Sequence, residues 1–494
     1  MTPPLRPRET LVLAGVLLGA AVLRIASANY GLWFDELASL TFANQPIGHL
    51  WGAWMVRETN PPLYYTLLKG WVALAGDGDR AVRSLSVAIG LCGIVAGWAL
   101  ARRLGGRAAG LLAAALIALS AAHVDLSQEA RAYVLAHTAV LVAALGMVRY
   151  LETRARGALL LYAGAAIVAL YAHTMLVVFA LLANLTMLWL LRRDRPALRG
   201  WIAANLAVAI GWAWWGWITL RQLGGGSANI GWIARPDGAA AWRMTADAYA
   251  YGFVPDGGVA GGAALALLLA AIVALAWRDR RPGVTLLAVL TIGAPPLLFA
   301  ISQWVPVFLP RTLSWASGPV AVLLALAVVA IPSRAVAIAL GAVLLVVEGI
   351  GVARWLPARQ EEGWREAVAL VAQRDPRALL LVQGDAAALA AAHYRDLAAP
   401  GLAIVVLDPD PADGDRWGDG LARLTHVDVA GARALLHGDR PLYALRRGSS
   451  DPARALAGEG VAETVAVDRQ PFVDRWRLRP VSGHRGDGVE AKPE

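Results

Sequence analysis

Two adjacent carboxylates, Asp35 and Glu36, stand in the apolar and aromatic stretch YGLWFDELASL, shortly after the first long apolar run. A carboxylate beside an attacking hydroxyl can take up its proton, so the pair suits general-base catalysis. We predict Asp35 as the base and Glu36 as a supporting residue that holds a metal, binds substrate or faces water. The alternative for Asp35 is a helix N-cap, since DELASLTFA can begin a short surface helix.

Arginines stand at the start of three later apolar runs, at Arg83, Arg131 and Arg311. A guanidinium presents a planar fork that matches phosphate oxygens, and a charge beside a membrane helix is costly unless a partner offsets it. We therefore predict that these arginines bind a donor phosphate or substrate. Internal pairing with carboxylates such as Asp35 or Glu129 is the alternative, and Arg83 has a further one as an interfacial anchor. The polar residues assigned to the same site are Tyr133, Asn60, Tyr64 and His173. Loop packing and interfacial anchoring are the alternatives for Asn60 and Tyr64, and a structural, hydrogen-bonded histidine is the alternative for His173.

A carboxylate base beside several arginines suits one kind of reaction at a membrane surface. A sugar linked to a long-chain lipid phosphate has an activated anomeric carbon, and its transfer to a hydroxyl needs a base for the proton. The departing phosphate gains charge, which arginines and tyrosine hydroxyls can stabilise. This reaction needs no nucleotide, and the C-terminal sequence contains no Gly-rich phosphate loop, no GxSxG and no metal-ligand spacing.

Apolar helices must position these residues. The chain has 494 residues, of which 58% are hydrophobic, and its mean hydropathy is +0.53. Its single cysteine excludes an intramolecular disulfide and a cysteine-based metal cluster. We predict a mainly α, polytopic membrane bundle of about eleven spans, each long enough to cross a hydrocarbon core. The candidate runs lie near residues 10–28, 83–101, 107–122, 131–150, 157–172, 174–191, 201–220, 259–277, 283–302, 313–331 and 335–353.

The formal charge of +9 comes almost wholly from arginines, most of them in short loops between the runs. In a soluble protein this charge would suggest nucleic acid, but between spans it indicates topology, because cytoplasmic loops collect Arg and Lys. Alternate loops such as ARRLGGR, RYLETRAR and RRDRPALR are arginine-rich, which predicts a cytoplasmic N-terminus. The opposite loops and the C-terminal residues are then extracytoplasmic. We expect a multi-pass protein of the bacterial plasma membrane.

From about Glu361 the sequence pattern changes. GWREAVALVAQRD and AAALAAAHYRDL have helical periodicity, whereas ALLLVQG, GLAIVVLDP, RPLYALRRG and RWRLRPV are typical of short strands. Alternating helices and strands favour a small α/β domain. We predict a transmembrane catalytic domain at 1–355, an extracytoplasmic α/β domain at 356–481 and a disordered tail at 482–494.

The segments GLWFDELAS, NPPLYYTLLKGW, RSLS and SQEARAYVL resemble the GT-C superfamily of integral-membrane glycosyltransferases. The chain is similar to bacterial family-39-type proteins related to protein O-mannosyltransferases and lipid A aminoarabinose transferases. The resemblance covers about residues 10–355, and PVFLPRTLSW looks like a later family segment in which Thr312 replaces the usual tyrosine. It implies a polyprenyl-phosphate-linked sugar donor, transfer on the outer face and a catalytic aspartate at the Asp35 position.

We therefore expect a glycosyltransferase, similar to hexosyl- and mannosyltransferases, that moves a sugar from a polyprenyl-phosphate donor to a hydroxyl of a glycan, lipid or protein. Its expected partners are that donor, membrane lipids and the acceptor, and not nucleic acid. The sequence identifies no cofactor, and a divalent metal stays an alternative. One rival interpretation is a transporter or flippase for lipid-linked sugars, which would place polar residues at mid-span. Another is a scaffold or sensor whose function lies in the C-terminal domain.

Overall fold

The computed structural model describes residues 6–225, 230, 232–250, 259–359, 362–408, 421, 423–446, 451–457, 460–465 and 472–478. The chain forms two compact units. The first contains Met1–Tyr30 and Phe42–Gln360, and the second contains Gly31–Thr41 and Glu361–Glu494. A short segment near the N-terminus therefore belongs with the C-terminal part of the chain.

Helices account for nearly all of the first unit. In chain order, and including one helix that begins in the second unit, they are α1 (Pro7–Ala26), α2 (Phe34–Asn44), α3 (Ile47–Leu50), α4 (Leu63–Ala75), α5 (Asp79–Leu119), α6 (Ala121–Gln128), α7 (Tyr133–Thr153), α8 (Arg156–Ala172), α9 (Val177–Leu191), α10 (Arg195–Gly225), α11 (Gly238–Ala250), α12 (Val259–Arg278), α13 (Pro282–Ser302), α14 (Pro310–Leu313), α15 (Ser317–Val329) and α16 (Arg334–Ala358). Short 3₁₀ turns lie at Ala53–Arg57, Thr174–Leu176 and Ser314–Ala316.

Within the described residues, nine helices are long and apolar enough to cross a membrane. The predicted runs fall on these nine and on the shorter apolar helix α8. Two predicted runs share α5, which continues for 41 residues through a kink at Gly106, where φ is 81°. Glycine tolerates this left-handed conformation because it has no Cβ. The predicted class, a mainly α polytopic membrane bundle, is confirmed.

Helices α7 and α8 form a tight hairpin. Arg154 adopts a left-handed conformation with φ of 55°, and its guanidinium donates to Asp194 at 2.8 Å. Gly146 lets the two helices approach closely, since a Cβ there would lie 2.7 Å from the backbone nitrogen of Tyr162. The helices run antiparallel, so the start of α7 and the end of α8 lie at the same end of the bundle.

The second unit contains a six-stranded sheet in the order β3-β2-β1-β4-β6-β5. The strands are β1 (Leu379–Gln383), β2 (Ala403–Leu407), β3 (Thr425–Val427), β4 (Leu442–Arg446), β5 (Gly460–Val465) and β6 (Phe472–Leu478), and the helices are α17 (Trp364–Arg374), α18 (Asp385–Ala398), α19 (Val429–Ala434) and α20 (Ala453–Leu456). Strands β1 to β4 pair in parallel, and β6 runs antiparallel to β4 and β5. The predicted helices and strands of the C-terminal sequence are present, and the predicted tail at 482–494 lies outside the described residues.

Gly31–Thr41 joins the second unit through close backbone contacts. The backbone N–H of Leu32 donates to the Tyr394 hydroxyl in α18 at 2.6 Å. Gly31 passes so near Glu362 that a Cβ would lie 2.8 Å from its carbonyl oxygen. The hydrogen bond joins residues 362 positions apart, and no local pattern in the sequence indicates it.

Candidate functional site

Three predicted site residues converge at one end of the helical bundle. Arg131 lies in the short connection between α6 and α7, Tyr133 begins α7, and His173 follows α8. The Cζ of Arg131 is 5.8 Å from the centre of the Tyr133 ring, and the rings of Tyr133 and His173 are 5.4 Å apart. Arg131 and Tyr133 are buried. The antiparallel α7–α8 hairpin brings these distant residues together.

Arg311 belongs to the same group, because its charge and that of Arg131 both act on His173. The pKa of His173 falls from 6.5 to about 3, mainly through burial and then through the two guanidiniums. The ring is therefore neutral at physiological pH. Its Nδ1 accepts from the backbone N–H of Met175 at 3.1 Å, so Nε2 carries the proton and can donate. We name Arg131, Tyr133, His173 and Arg311 the cationic cluster.

Thr312 fixes the turn that carries Arg311. The Thr312 hydroxyl accepts from the backbone N–H of Leu309 at 3.1 Å and lies 3.0 Å from the carbonyl oxygen of Val307. The Ser302 hydroxyl accepts from the backbone N–H of Val307 at 2.8 Å. These contacts satisfy polar groups at the start of α14 and stabilise its first turn. Thr312 therefore caps the start of α14 through its hydroxyl.

Glu58 organises the loop that carries Asn60. Its buried carboxylate accepts from the backbone N–H of Asn60 at 3.0 Å, from the Asn60 amide at 2.7 Å and from the Tyr65 hydroxyl at 3.1 Å. The neighbouring Thr59 carbonyl accepts from Thr174, the residue after His173, at 3.1 Å. We did not predict Glu58 as a site residue. The sequence feature that indicates this role is the position of Glu58 two residues before Asn60, a spacing that favours hydrogen bonds between a side chain and the nearby backbone.

Arg83 and Tyr64, both predicted site residues, have fully buried structural contacts. Arg83 donates to the carbonyl of Ala28 at 3.1 Å and to that of Tyr30, and its Cζ lies 3.6 Å from the centre of the Tyr30 ring. The Tyr64 hydroxyl is 2.7 Å from the Ser86 hydroxyl in α5. Arg83 therefore fixes the chain that follows α1, and its role in substrate binding stays a prediction.

Asp35 and Glu36 occupy the first turn of α2, in the second unit. Glu36 is fully buried, and its carboxylate accepts from the backbone N–H of Trp33 at 3.2 Å, as the glutamate of a capping box does. Asp35 is partly buried and lies inside the first turn rather than at the N-cap. The two acids therefore differ, because Glu36 stabilises the start of the helix. Among the described residues, no group of three His, Cys, Asp or Glu side chains is placed to hold a metal ion.

One family model matches the sequence. Residues 59–217 match the model described as dolichyl-phosphate-mannose-protein mannosyltransferase. The matched region includes three members of the cationic cluster. No curated protein matches the chain.

Solved structures share the fold. ArnT from Cupriavidus metallidurans in the apo state matches with a TM-score of 0.62 and 13% identity, over 94% of this chain and 97% of that one. The same protein bound to undecaprenyl phosphate matches with a TM-score of 0.60, 14% identity and the same coverage. The Saccharomyces cerevisiae Pmt1-Pmt2 complex bound to the sugar donor matches with a TM-score of only 0.35 and 16% identity, over 51% of this chain and 37% of that one. The expected resemblance to GT-C glycosyltransferases is confirmed. The match to the mannosyltransferase family model supports a glycosyltransferase activity.

Proposed function

We propose that the chain is a membrane glycosyltransferase that moves a sugar from a polyprenyl-phosphate-linked donor to a hydroxyl-bearing acceptor. The observation that carries the proposal is the cationic cluster, in which two guanidiniums and a neutral imidazole from separate loops converge. Guanidiniums and N–H donors suit phosphate oxygens. The fold shared with ArnT, a protein solved with undecaprenyl phosphate, supports the same class of donor.

In the proposed reaction, Asp35 takes the proton of the acceptor hydroxyl while the hydroxyl oxygen bonds to the anomeric carbon of the sugar. The bond from that carbon to the phosphate oxygen breaks, and polyprenyl phosphate leaves with one more negative charge. Arg131 and Arg311 stabilise the growing charge. His173 adds a hydrogen bond from Nε2 as a neutral donor, and the Tyr133 ring lies beside it at 5.4 Å.

The substitution Asp35→Asn tests this function. We expect transfer to fall by about 10²- to 10⁴-fold, the usual contribution of a positioned base. Full-length protein in liposomes is given polyprenyl-phosphate-linked radiolabelled mannose and bacterial membranes as a source of acceptors, and loss of label from the donor is followed. The matched control is Asp428→Asn at the N-cap of α19. The Asp428 carboxylate accepts from the Gly431 N–H at 2.7 Å, and an asparagine can keep this contact.

Undiminished transfer by the Asp35→Asn protein would show that Asp35 is not the base. Movement of labelled donor across the bilayer without loss of its sugar, in wild type and variant alike, would favour the transporter instead.

A further inference from the structure

Arg24 is fully buried in the last turn of α1, and all its partners among the described residues are neutral. Its guanidinium donates to the carbonyls of Ala20 at 3.2 Å and Ala118 at 3.0 Å, and it lies 2.9 Å from Nδ1 of His123. A buried cation with no carboxylate is a costly way to join two helices, because an apolar side chain packs there without a desolvation penalty. Packing of α1 against the neighbouring helix therefore does not by itself explain why an arginine occupies this position.

The contact between Arg24 and His123 has a fixed direction. A guanidinium only donates, so Nδ1 of His123 must accept, and the ring must be neutral with its proton on Nε2. Burial, followed by His137 and Arg24, holds the pKa of His123 well below its ordinary value of 6.5. The environment thus keeps the histidine in the one form that the arginine can bind.

A second contact joins the same two segments at the other end of α6. The side-chain amide of Gln128 donates to the carbonyl of Arg24 at 2.6 Å and to the Ser27 hydroxyl at 2.5 Å. The Tyr30 hydroxyl donates to the carbonyl of Gln128 at 3.5 Å. Both ends of α6 are therefore bound to the end of α1. We name Arg24, His123 and Gln128 the clamp.

We propose that the clamp positions Arg131 for binding of the donor phosphate, an inference that rests on the proposed function. Arg131 follows Gln128 by one tight turn, which is closed by the hydrogen bond from the Arg131 backbone N–H to the Glu129 carbonyl at 2.8 Å. Only a few backbone torsion angles therefore separate the anchored Gln128 from Arg131. Because a misplacement of about 1 Å can cost a reaction about 100-fold, a fixed anchor at this point has a direct use.

The opposite end of α1 supplies a matched control. Glu9 and Arg102 are both buried and form an ion pair with a distance of 2.6 Å, which ties α1 to α5 far from α6 in sequence. The substitution Arg102→Met removes a buried polar tie of the same helix without touching the clamp. It should destabilise the protein and leave the geometry of Arg131 unchanged.

The test compares Gln128→Leu, His123→Leu, His123→Gln and Arg102→Met in the full-length protein in liposomes. We measure the KM for polyprenyl-phosphate-linked mannose, kcat and the melting temperature. Loss of the clamp in Gln128→Leu and His123→Leu should raise KM by about tenfold. In His123→Gln the amide oxygen can still accept from Arg24, so KM should stay within about threefold of wild type. Arg102→Met should lower the melting temperature without changing KM.

Two results separate the clamp from the proposed function. Unchanged KM in both leucine variants, with melting temperatures lowered as in Arg102→Met, would overturn the positioning role. If the wild type transfers no sugar, the proposed function fails, and titration with polyprenyl phosphate then decides the role of the clamp. A tenfold loss of affinity in Gln128→Leu but not in Arg102→Met would support it, and equal affinity in all variants would overturn it.

Discussion

At the scale of single residues, neighbours decide what each polar side chain can do. His173 is neutral because burial and two guanidiniums oppose a third positive charge, so it can donate a hydrogen bond without carrying charge. Glu36 and Asp35 are adjacent and chemically alike, yet Glu36 is occupied by the Trp33 N–H at the start of α2. In the proposed reaction Asp35 is the base, and Glu36 stays a supporting residue.

The depressed pKa of His173 predicts a dependence of stability on pH. The folded protein keeps this ring neutral down to about pH 3, whereas in the unfolded chain it takes up a proton below its ordinary pKa of 6.5. The unfolded state then binds more protons, so stability falls as the pH is lowered from 6.5 towards 3. We expect His173→Gln to lose less melting temperature than wild type between pH 7 and pH 4.5.

Thermal melts of the purified protein at the two pH values check this prediction. His49→Gln, which replaces a histidine with an exposed side chain, is the matched control. Equal losses of melting temperature in wild type and His173→Gln would contradict the assigned charge state of His173.

At the scale of elements, a helix hairpin and a hydrogen bond position the candidate site residues. The tight α7–α8 hairpin places Tyr133 beside His173, and the approach at Gly146 holds the helices close. In the second unit, α18 binds the chain just before α2, because the Tyr394 hydroxyl accepts from the backbone N–H of Leu32. The α/β unit therefore supports the chain that leads into α2.

The substitution Tyr394→Phe tests that support. It leaves the buried N–H of Leu32 without its acceptor, which costs about 1–3 kcal/mol. Asp35 follows Leu32 closely, so we expect slower transfer, with affinity for polyprenyl phosphate unchanged because the cationic cluster belongs to the first unit. Tyr443→Phe is the control, since it removes the contact from a hydroxyl on β4 to Asp375, the residue that follows α17. If the two variants slow transfer equally, the contact to Leu32 has no special role.

At the scale of the whole molecule, the distribution of arginines predicts the orientation. Arginine-rich loops alternate along the bundle, which favours a cytoplasmic N-terminus and an extracytoplasmic C-terminal unit. That orientation suits a donor carried by a lipid phosphate, because the reaction then needs no nucleotide sugar. The predicted location is the bacterial plasma membrane.

Cysteine labelling of intact cells checks this orientation. In a Cys92→Ser background, we expect Asp396→Cys in α18 to react with a membrane-impermeant maleimide. Arg195→Cys, at the start of α10, should react only after the cells are made permeable. Both positions have exposed side chains. The reverse pattern would invert the topology and with it the proposed side of the reaction.

The sequence alone determined the membrane helices, the C-terminal strands and the residue types of the candidate site. These are readable because membrane helices satisfy their backbone hydrogen bonds internally and must be apolar over a fixed length. Alternation of spans also predicted that Arg131, His173 and Arg311 lie on one side. Their convergence agrees with that prediction, and their roles stay predictions.

The tertiary structure alone decided which of these residues meet and what each one binds. It places Gly31–Thr41 in the C-terminal unit. It also shows that Glu36 caps α2, that Glu58 accepts hydrogen bonds from Asn60, and that Arg24 contacts His123. Such contacts join residues far apart in sequence and depend on side-chain packing, which leaves no periodic signal. The length of the apolar runs determines where the helices lie in the sequence. The contacts of a few buried polar groups determine how those helices position the site residues.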